Sequence, residues 1–165
     1  MANRVDQSMA ARAAEVLNLQ VDAPNLSKRL RTRMRQLPMR LRSSGLAATF
    51  AFIDARCGGG DTIAQAYTQL RGAIISHIGE RALLGELAPD ATPEEFLREL
   101  AMADTAAHSR ITAEIDLLAR WLSRIADARF GALARSSQNG QNEQAGHGGQ
   151  GGAAGDTDEP QEEQT

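Results

Sequence analysis

Residues 26–53 read LSKRLRTRMRQLPMRLRSSGLAATFAFI, and this stretch decides the fold. Its apolar and small positions fall at Leu26, Leu30, Met34, Leu37, Leu41, Gly45, Ala48 and Phe52, spaced by fours and threes. That spacing puts them on one face of an α-helix, because 3.6 residues complete a turn. Pro38 lies inside the run. A proline removes one intrahelical hydrogen bond and crowds the preceding turn, so a kink or a restart is expected there. The phase continues across Pro38, which predicts two nearly coaxial segments. Beyond it the apolar face broadens as Leu46, Phe50 and Ile53 join Ala48 and Phe52, so this part should be the most deeply buried.

The same periodicity extends outward in both directions. Val5, Met9, Ala13, Val16 and Leu17 mark a first helix that stops near Gln20, with a turn at Asp22-Ala23-Pro24-Asn25. Cys57-Gly58-Gly59-Gly60 ends the central helix, since consecutive glycines lose too much backbone entropy to continue it. Asp61 or Thr62 caps the next helix, whose stripe is Ile63, Tyr67, Leu70, Ile74 and Ile78. Residues 79–91 have the character of a loop with helical fragments. At Thr92-Pro93-Glu94-Glu95 a capping box opens a short helix carrying Phe96, Leu97 and Leu100. Asp104 caps a last helix with the stripe His108, Ile111, Ile115, Leu118, Leu122 and Ile125, continuing to about Phe130. No strand alternation, repeat or phosphate-loop signature is present. The fold class is all-α, a single bundle of five to six helices with antiparallel neighbours.

Charge divides the chain in two. Residues 1–135 hold all 18 basic side chains and 15 of the 21 acidic ones, a formal +3; residues 136–165 hold the other six acids and no base. The segment from Ser136 to Thr165 also lacks Leu, Ile, Val, Phe, Met, Trp and Tyr. It cannot bury enough apolar surface to offset an ordering cost of ~1–2 kcal/mol per residue. The chain therefore divides into a helical domain, 1–135, and a disordered acidic tail, 136–165. A tail of this kind serves solubility, or competes with a polyanion for the basic body. No run reaches the ~18–20 apolar residues that span a bilayer, and no signal-peptide layout is present. With one cysteine, Cys57, no intrachain disulfide forms. A cytoplasmic protein fits best.

Catalytic constellations are missing. His77 and His108 have no metal-ligand companion at a useful spacing. Glu114 and Asp116 point about 200° apart on a helix, and Asp116 is better matched to Arg120 four residues on. Cys57 has no adjacent base. The expectation is no enzyme, no metal, no cofactor and no small-molecule substrate.

The informative chemistry is the run from Lys28 to Arg42: Lys28, Arg29, Arg31, Arg33, Arg35, Arg40 and Arg42, without one acid. On a helical projection Lys28, Arg31, Arg35 and Arg42 share one arc and Arg29, Arg33 and Arg40 another, with the apolar stripe between. The planar guanidinium presents a forked pair of donors suited to phosphate. Such contacts give affinity without sequence reading, and the affinity falls with salt. Arg31, Arg35 and Arg42 are the first candidates for an RNA face, then Arg29, Arg33 and Arg40; Lys28, Arg120 and Arg124 could extend it. Ion pairs to Asp116 and Asp127 compete for Arg120 and Arg124. Three rivals stand beside this reading: a solvated helix face, a helix on an anionic membrane, and a helical adaptor for an acidic protein partner. The membrane option is weakened because the apolar stripe already serves as a core face.

Two blocks carry a family resemblance. Leu37-Pro38-Met39-Arg40-Leu41-Arg42-Ser43-Ser44-Gly45-Leu46-Ala47-Ala48-Thr49-Phe50-Ala51-Phe52-Ile53 resembles the LP…GL…AF signature of the small subunit of the Cmr (type III-B) CRISPR effector complex. Thr112, Glu114, Trp121, Arg124 and Ala126 are similar to that family's T-x-E…W-x-x-R-x-A pattern. The resemblance covers roughly residues 5 to 130. His108 departs from it, standing where a tyrosine is expected, and 79–91 shows no pattern that matches. It implies a helical, non-enzymatic subunit of an antiviral ribonucleoprotein. Copies of it would stack beside the backbone subunits and line the basic groove that holds guide RNA and target RNA, while cleavage belongs to the backbone subunits.

Overall fold

The computed structural model describes residues 2–21 and 23–145, with side chains described over 4–21 and 23–132. The described residues form five helices: α1 (Ala2–Val16), α2 (Pro24–Asp54), α3 (Thr62–Glu80), α4 (Pro93–Met102) and α5 (Thr105–Ala145). Among the described residues there is no strand. The all-α bundle is as the periodicity predicts.

Capping residues set the boundaries. The Asp61 carboxylate accepts from the Ala64 amide at 2.7 Å and starts α3. Thr92 and Glu95 form the reciprocal capping box that starts α4. The Asp104 carboxylate accepts from the Ala107 amide at 2.7 Å at the head of α5. Pro24 and Asn25, expected in a turn, instead form the first turn of α2. Proline suits that position because its missing N–H would have had no intrahelical partner. Asp22 of the same expected turn lies outside the described residues.

The break in α2 is not where the proline predicts it. Pro38 sits within continuous helix, whereas Gly45 has φ 78° and ψ 175°. That backbone region is open essentially only to glycine. A side chain at Gly45 would have met nothing within 4 Å, so conformation requires the glycine, and no close helix approach does. The break also slips the buried face by one residue. Upstream, Leu30, Met34, Leu37 and Leu41 are buried; downstream the buried set is Leu46, Thr49, Phe50 and Ile53. Gly45, Ala48 and Phe52, which continue the upstream phase, are half-buried, exposed and half-buried. Leu30 and Met34 are as fully enclosed as Phe50, so burial is not concentrated downstream.

α2 and α5 form the principal packed pair. Arg31 meets Asp127 and Arg42 meets Asp116, so the partner number falls as the α2 number rises and the two helices run antiparallel. α1 packs against α5 and α3, and α4 lies against α2 and α3, where the Phe50 and Phe96 rings sit with centroids 4.2 Å apart. The segment after α3 folds back on it: a side chain at Gly79 would lie 2.6 Å from the Pro89 nitrogen. α5 continues as helix ten residues past 135, to Ala145. The rest of the expected disordered tail, residues 146–165, lies outside the described residues.

Candidate nucleic-acid interface

The apolar stripe of α2 faces the core and leaves a basic flank on each side of it. Along the flank next to α5, Arg31 Nε donates to Asp127 Oδ1 at 2.6 Å. Arg35 Nε lies 3.8 Å from the other oxygen of Asp127, and Arg42 Nε lies 3.9 Å from Asp116 Oδ1. Asp116 is also paired with Arg120, one turn along α5. Four guanidiniums thus share two carboxylates, and the seam keeps a positive excess. The α2 arginines make these contacts through Nε, which leaves their terminal amino groups outside the pairs. The Arg35 and Arg42 side chains are 55% and 63% exposed. An open hollow of about 320 Å³ between Lys28, Arg31, Thr32, Arg35 and Gln36 lies on this flank.

On the opposite flank no described carboxylate answers the charge: Arg29 is exposed and Arg33 half-buried, and neither forms an ion pair with a described residue. The Arg40 guanidinium lies 3.7 Å from the centroid of the Phe52 ring. Arg124 does not pair with Asp127, which Arg31 and Arg35 occupy; its guanidinium lies 5.1 Å from the Trp121 ring centroid. The Trp121 indole in turn donates to Asp6 at 2.8 Å. The six candidate arginines of α2 therefore stand on two separate surfaces: Arg31, Arg35 and Arg42 with Arg120, and Arg29, Arg33 and Arg40 across the stripe.

Arg56 escaped the sequence reading. Its guanidinium lies 3.5 Å from the Phe52 centroid and its terminal amine donates to the Phe52 carbonyl at 3.2 Å. The usable signal was the four-residue spacing from Phe52, which an inward-facing Phe52 hides. Tyr67 packs edge-on against the same ring, with centroids 6.1 Å apart. Burial pushes the Tyr67 hydroxyl above its ordinary pKa of 10.0, and the positive charges of Arg33, Arg56 and Arg40 pull it back.

A second polar feature ties α3 to α5. His77 is buried, with Nε2 2.5 Å from Glu114 Oε2, and the Arg81 terminal amine donates to Glu114 Oε1 at 3.2 Å. Burial lowers the His77 pKa below its ordinary 6.5, and the neighbouring Glu114 carboxylate opposes that shift. The arrangement suits a neutral imidazole donating to a carboxylate, a helix-to-helix tie. His108 is half-buried on α5. Among the described residues no three His, Cys, Asp or Glu side chains are placed to hold a metal ion. No helix there is long and apolar enough to cross a membrane.

A family model described as CRISPR-associated protein (Cas_Cmr5) matches residues 5–129 of the chain. Among curated proteins none matches it.

Proposed function

Because the chain belongs to the CRISPR-associated Cas_Cmr5 family, the small subunits of type III-B Cmr complexes, we propose that it is a non-catalytic, cytoplasmic subunit that helps line the groove for guide and target RNA. One observation carries this reading: seven bases between Lys28 and Arg42 with no acid among them, met across the α5 seam by only two described carboxylates, one of which, Asp116, Arg120 also shares. A solvated helix face mixes signs; this one does not. Excess guanidinium with unengaged terminal amino groups suits phosphate oxygens, which accept paired donors. The task is electrostatic. Arginines hold the phosphate backbone, and base pairing between guide and target supplies the sequence choice. Contacts with the backbone subunits and with further copies of the chain would set the arginines along the groove.

Binding of labelled single-stranded RNA tests the reading. Two unrelated sequences should bind with equal, modest affinity, and log affinity should fall with log salt by about 0.7 per phosphate engaged. Arg31, Arg35 and Arg42 changed together to Gln should weaken binding while helicity and thermal unfolding stay near those of the parent. Glutamine is preferable to glutamate here, since glutamate would face Asp127 and Asp116 across the seam. Failure of the parent protein to bind RNA at low salt, together with nuclease-resistant capture of the backbone subunits, would assign the face to protein contact instead.

A further inference from the structure

The slip at Gly45 sets an aromatic ring beside the second basic arc of α2. It turns Phe52 partly out of the core, and two guanidiniums cover that ring, Arg40 at 3.7 Å and Arg56 at 3.5 Å from the centroid. Two groups so close above one centroid cannot share a face of the ring, so they lie on opposite faces. Each is attracted by the negative π cloud, which offsets part of the repulsion between them. Tyr67 closes one edge of the assembly, and Arg33, one helical turn along from Arg29 and two before Arg40, is within electrostatic reach of it.

No carboxylate among the described residues is paired with Arg33, Arg40 or Arg56. Asp54, the nearest acid in sequence, is engaged by Arg71 at 2.6 Å. Asp61 caps α3. Two like charges therefore meet on one ring, with a third on the same flank, and no described carboxylate neutralises them. An anion would relieve that repulsion, and the stacked guanidiniums are already held in place, so little side-chain entropy is lost on binding.

We propose that Arg40 and Arg56, fixed on the two faces of Phe52, form with Arg33 a phosphodiester-binding site on the flank of α2 away from α5. Both ring faces are occupied, so no base can stack on Phe52 and the site takes the backbone of a single strand. The guanidiniums supply the phosphate contacts; Phe52 is a positioning residue. The choice of RNA as the source of the phosphodiester rests on the function proposed above, whereas the site itself rests on the geometry of the ring and the two arginines on its faces.

Two measurements on the full chain test it. RNA titration of Arg56→Ala should lower affinity about tenfold and reduce the salt slope by about 0.7, the loss of one phosphate contact. Phe52→Leu keeps every charge and should lower affinity several-fold, with thermal unfolding measured alongside to exclude a folding defect. If Arg31→Gln/Arg35→Gln/Arg42→Gln weakens RNA binding and Arg56→Ala does not, the site is overturned while the proposed function stands. The second measurement uses a dinucleotide as the probe and needs no RNA-binding activity of the whole protein. Tyr67 is the only tyrosine of the chain, so its ring resonances report on this site alone. They should shift on addition of the dinucleotide in the parent and remain still in Arg56→Ala. No shift in the parent, or an equal shift from a glutamate peptide, would overturn a phosphodiester site.

Discussion

On the α5 side of α2, Arg31, Arg35 and Arg42 each reach a carboxylate, whereas on the other side Arg29 and Arg33 reach none and Arg40 rests on an aromatic ring. The sequence distributes arginine almost evenly between the two sides. What differs is the neighbour. α5 brings Asp127 and Asp116 to one flank, whereas beside Phe52 the nearest acid, Asp54, is taken by Arg71 and pairs with none of the α2 arginines. A guanidinium that already holds a carboxylate gains less from a phosphate, because it must share or surrender a partner. The seam arginines therefore divide their charge between fastening two helices and meeting any ligand, and the open flank would have its charge for a ligand alone.

The sharpest way to break that comparison is to reverse charge on one flank at a time. Arg29, Arg33 and Arg40 changed together to Glu should lower RNA affinity on the order of a thousandfold, from three charge-assisted contacts of roughly 1.5 kcal/mol each. Urea unfolding should change little for Arg29 and Arg33, which hold no carboxylate. The Arg31, Arg35 and Arg42 counterpart should lose both affinity and stability, since it sets glutamates against Asp127 and Asp116. Equal stability losses for the two variants would show that the flanks do not differ in structural duty.

The placement of Phe52 beneath Arg40 depends on one glycine. At Gly45 an alanine would have to adopt φ 78°, ψ 175°, a cost of about 1–3 kcal/mol, with no contact to compensate. Gly45→Ala should destabilise the protein by that amount in urea unfolding. Relief of the strain by straightening α2 would rotate Phe52 toward the core, and the Tyr67 ring resonances would then move as well. An unchanged midpoint would mean that the break is not a fixed feature of α2.

Gly45 also marks where the sequence stops being legible. The upstream stripe Leu30, Met34, Leu37 and Leu41 is buried as its spacing requires, and the caps at Asp61, Thr92 and Asp104 hold as their local chemistry requires. Helical phase is a running count, however, and a single residue at positive φ resets it. Proline advertises a break and Gly45 makes one, because a helix can absorb one missing hydrogen bond at Pro38 but not an extended residue. Past that point the broadened face predicts Leu46, Phe50 and Ile53 inside together with Ala48 and Phe52; the first three are buried and Thr49 joins them, while Ala48 is exposed and Phe52 half-buried. The basic run was legible as a run of like charge. Its division into paired and unpaired arginines was not, since Asp127 lies 96 residues from Arg31 and only the antiparallel register of α2 and α5 joins them.

A third test sets the seam against the other tie to α5, the buried His77–Glu114 pair. His77 should make stability respond to pH. Its folded pKa lies below the ordinary 6.5, so below pH 6.5 the unfolded chain takes up the proton more readily than the folded one. Stability is therefore full above that value and declines as pH falls toward the folded pKa. His77→Gln, measured by urea unfolding across this range, should remove that decline. A decline that persists in His77→Gln would assign it to other groups.

The smallest effect is expected from the most selective change, Asp127→Asn. It removes the counter-charge of Arg31 and Arg35 while leaving both arginines, the apolar stripe and the shape of α5 in place. Asp127 is 40% exposed and Arg35 more so, and exposed pairs are screened by water and salt, so the loss should be about 0.2–1 kcal/mol in urea unfolding. The informative sign is the other one. If carboxylates hold the seam arginines back from phosphate, Asp127→Asn should bind RNA a few-fold more tightly than the parent, with a steeper salt slope, because two more guanidiniums are free to engage. The open flank has no such carboxylate to remove, so this gain belongs to the seam alone. A fall in RNA affinity instead would mean that Asp127 aims Arg31 and Arg35 at the strand, and the two flanks would then differ in how their arginines are oriented and not in how much charge they have to give.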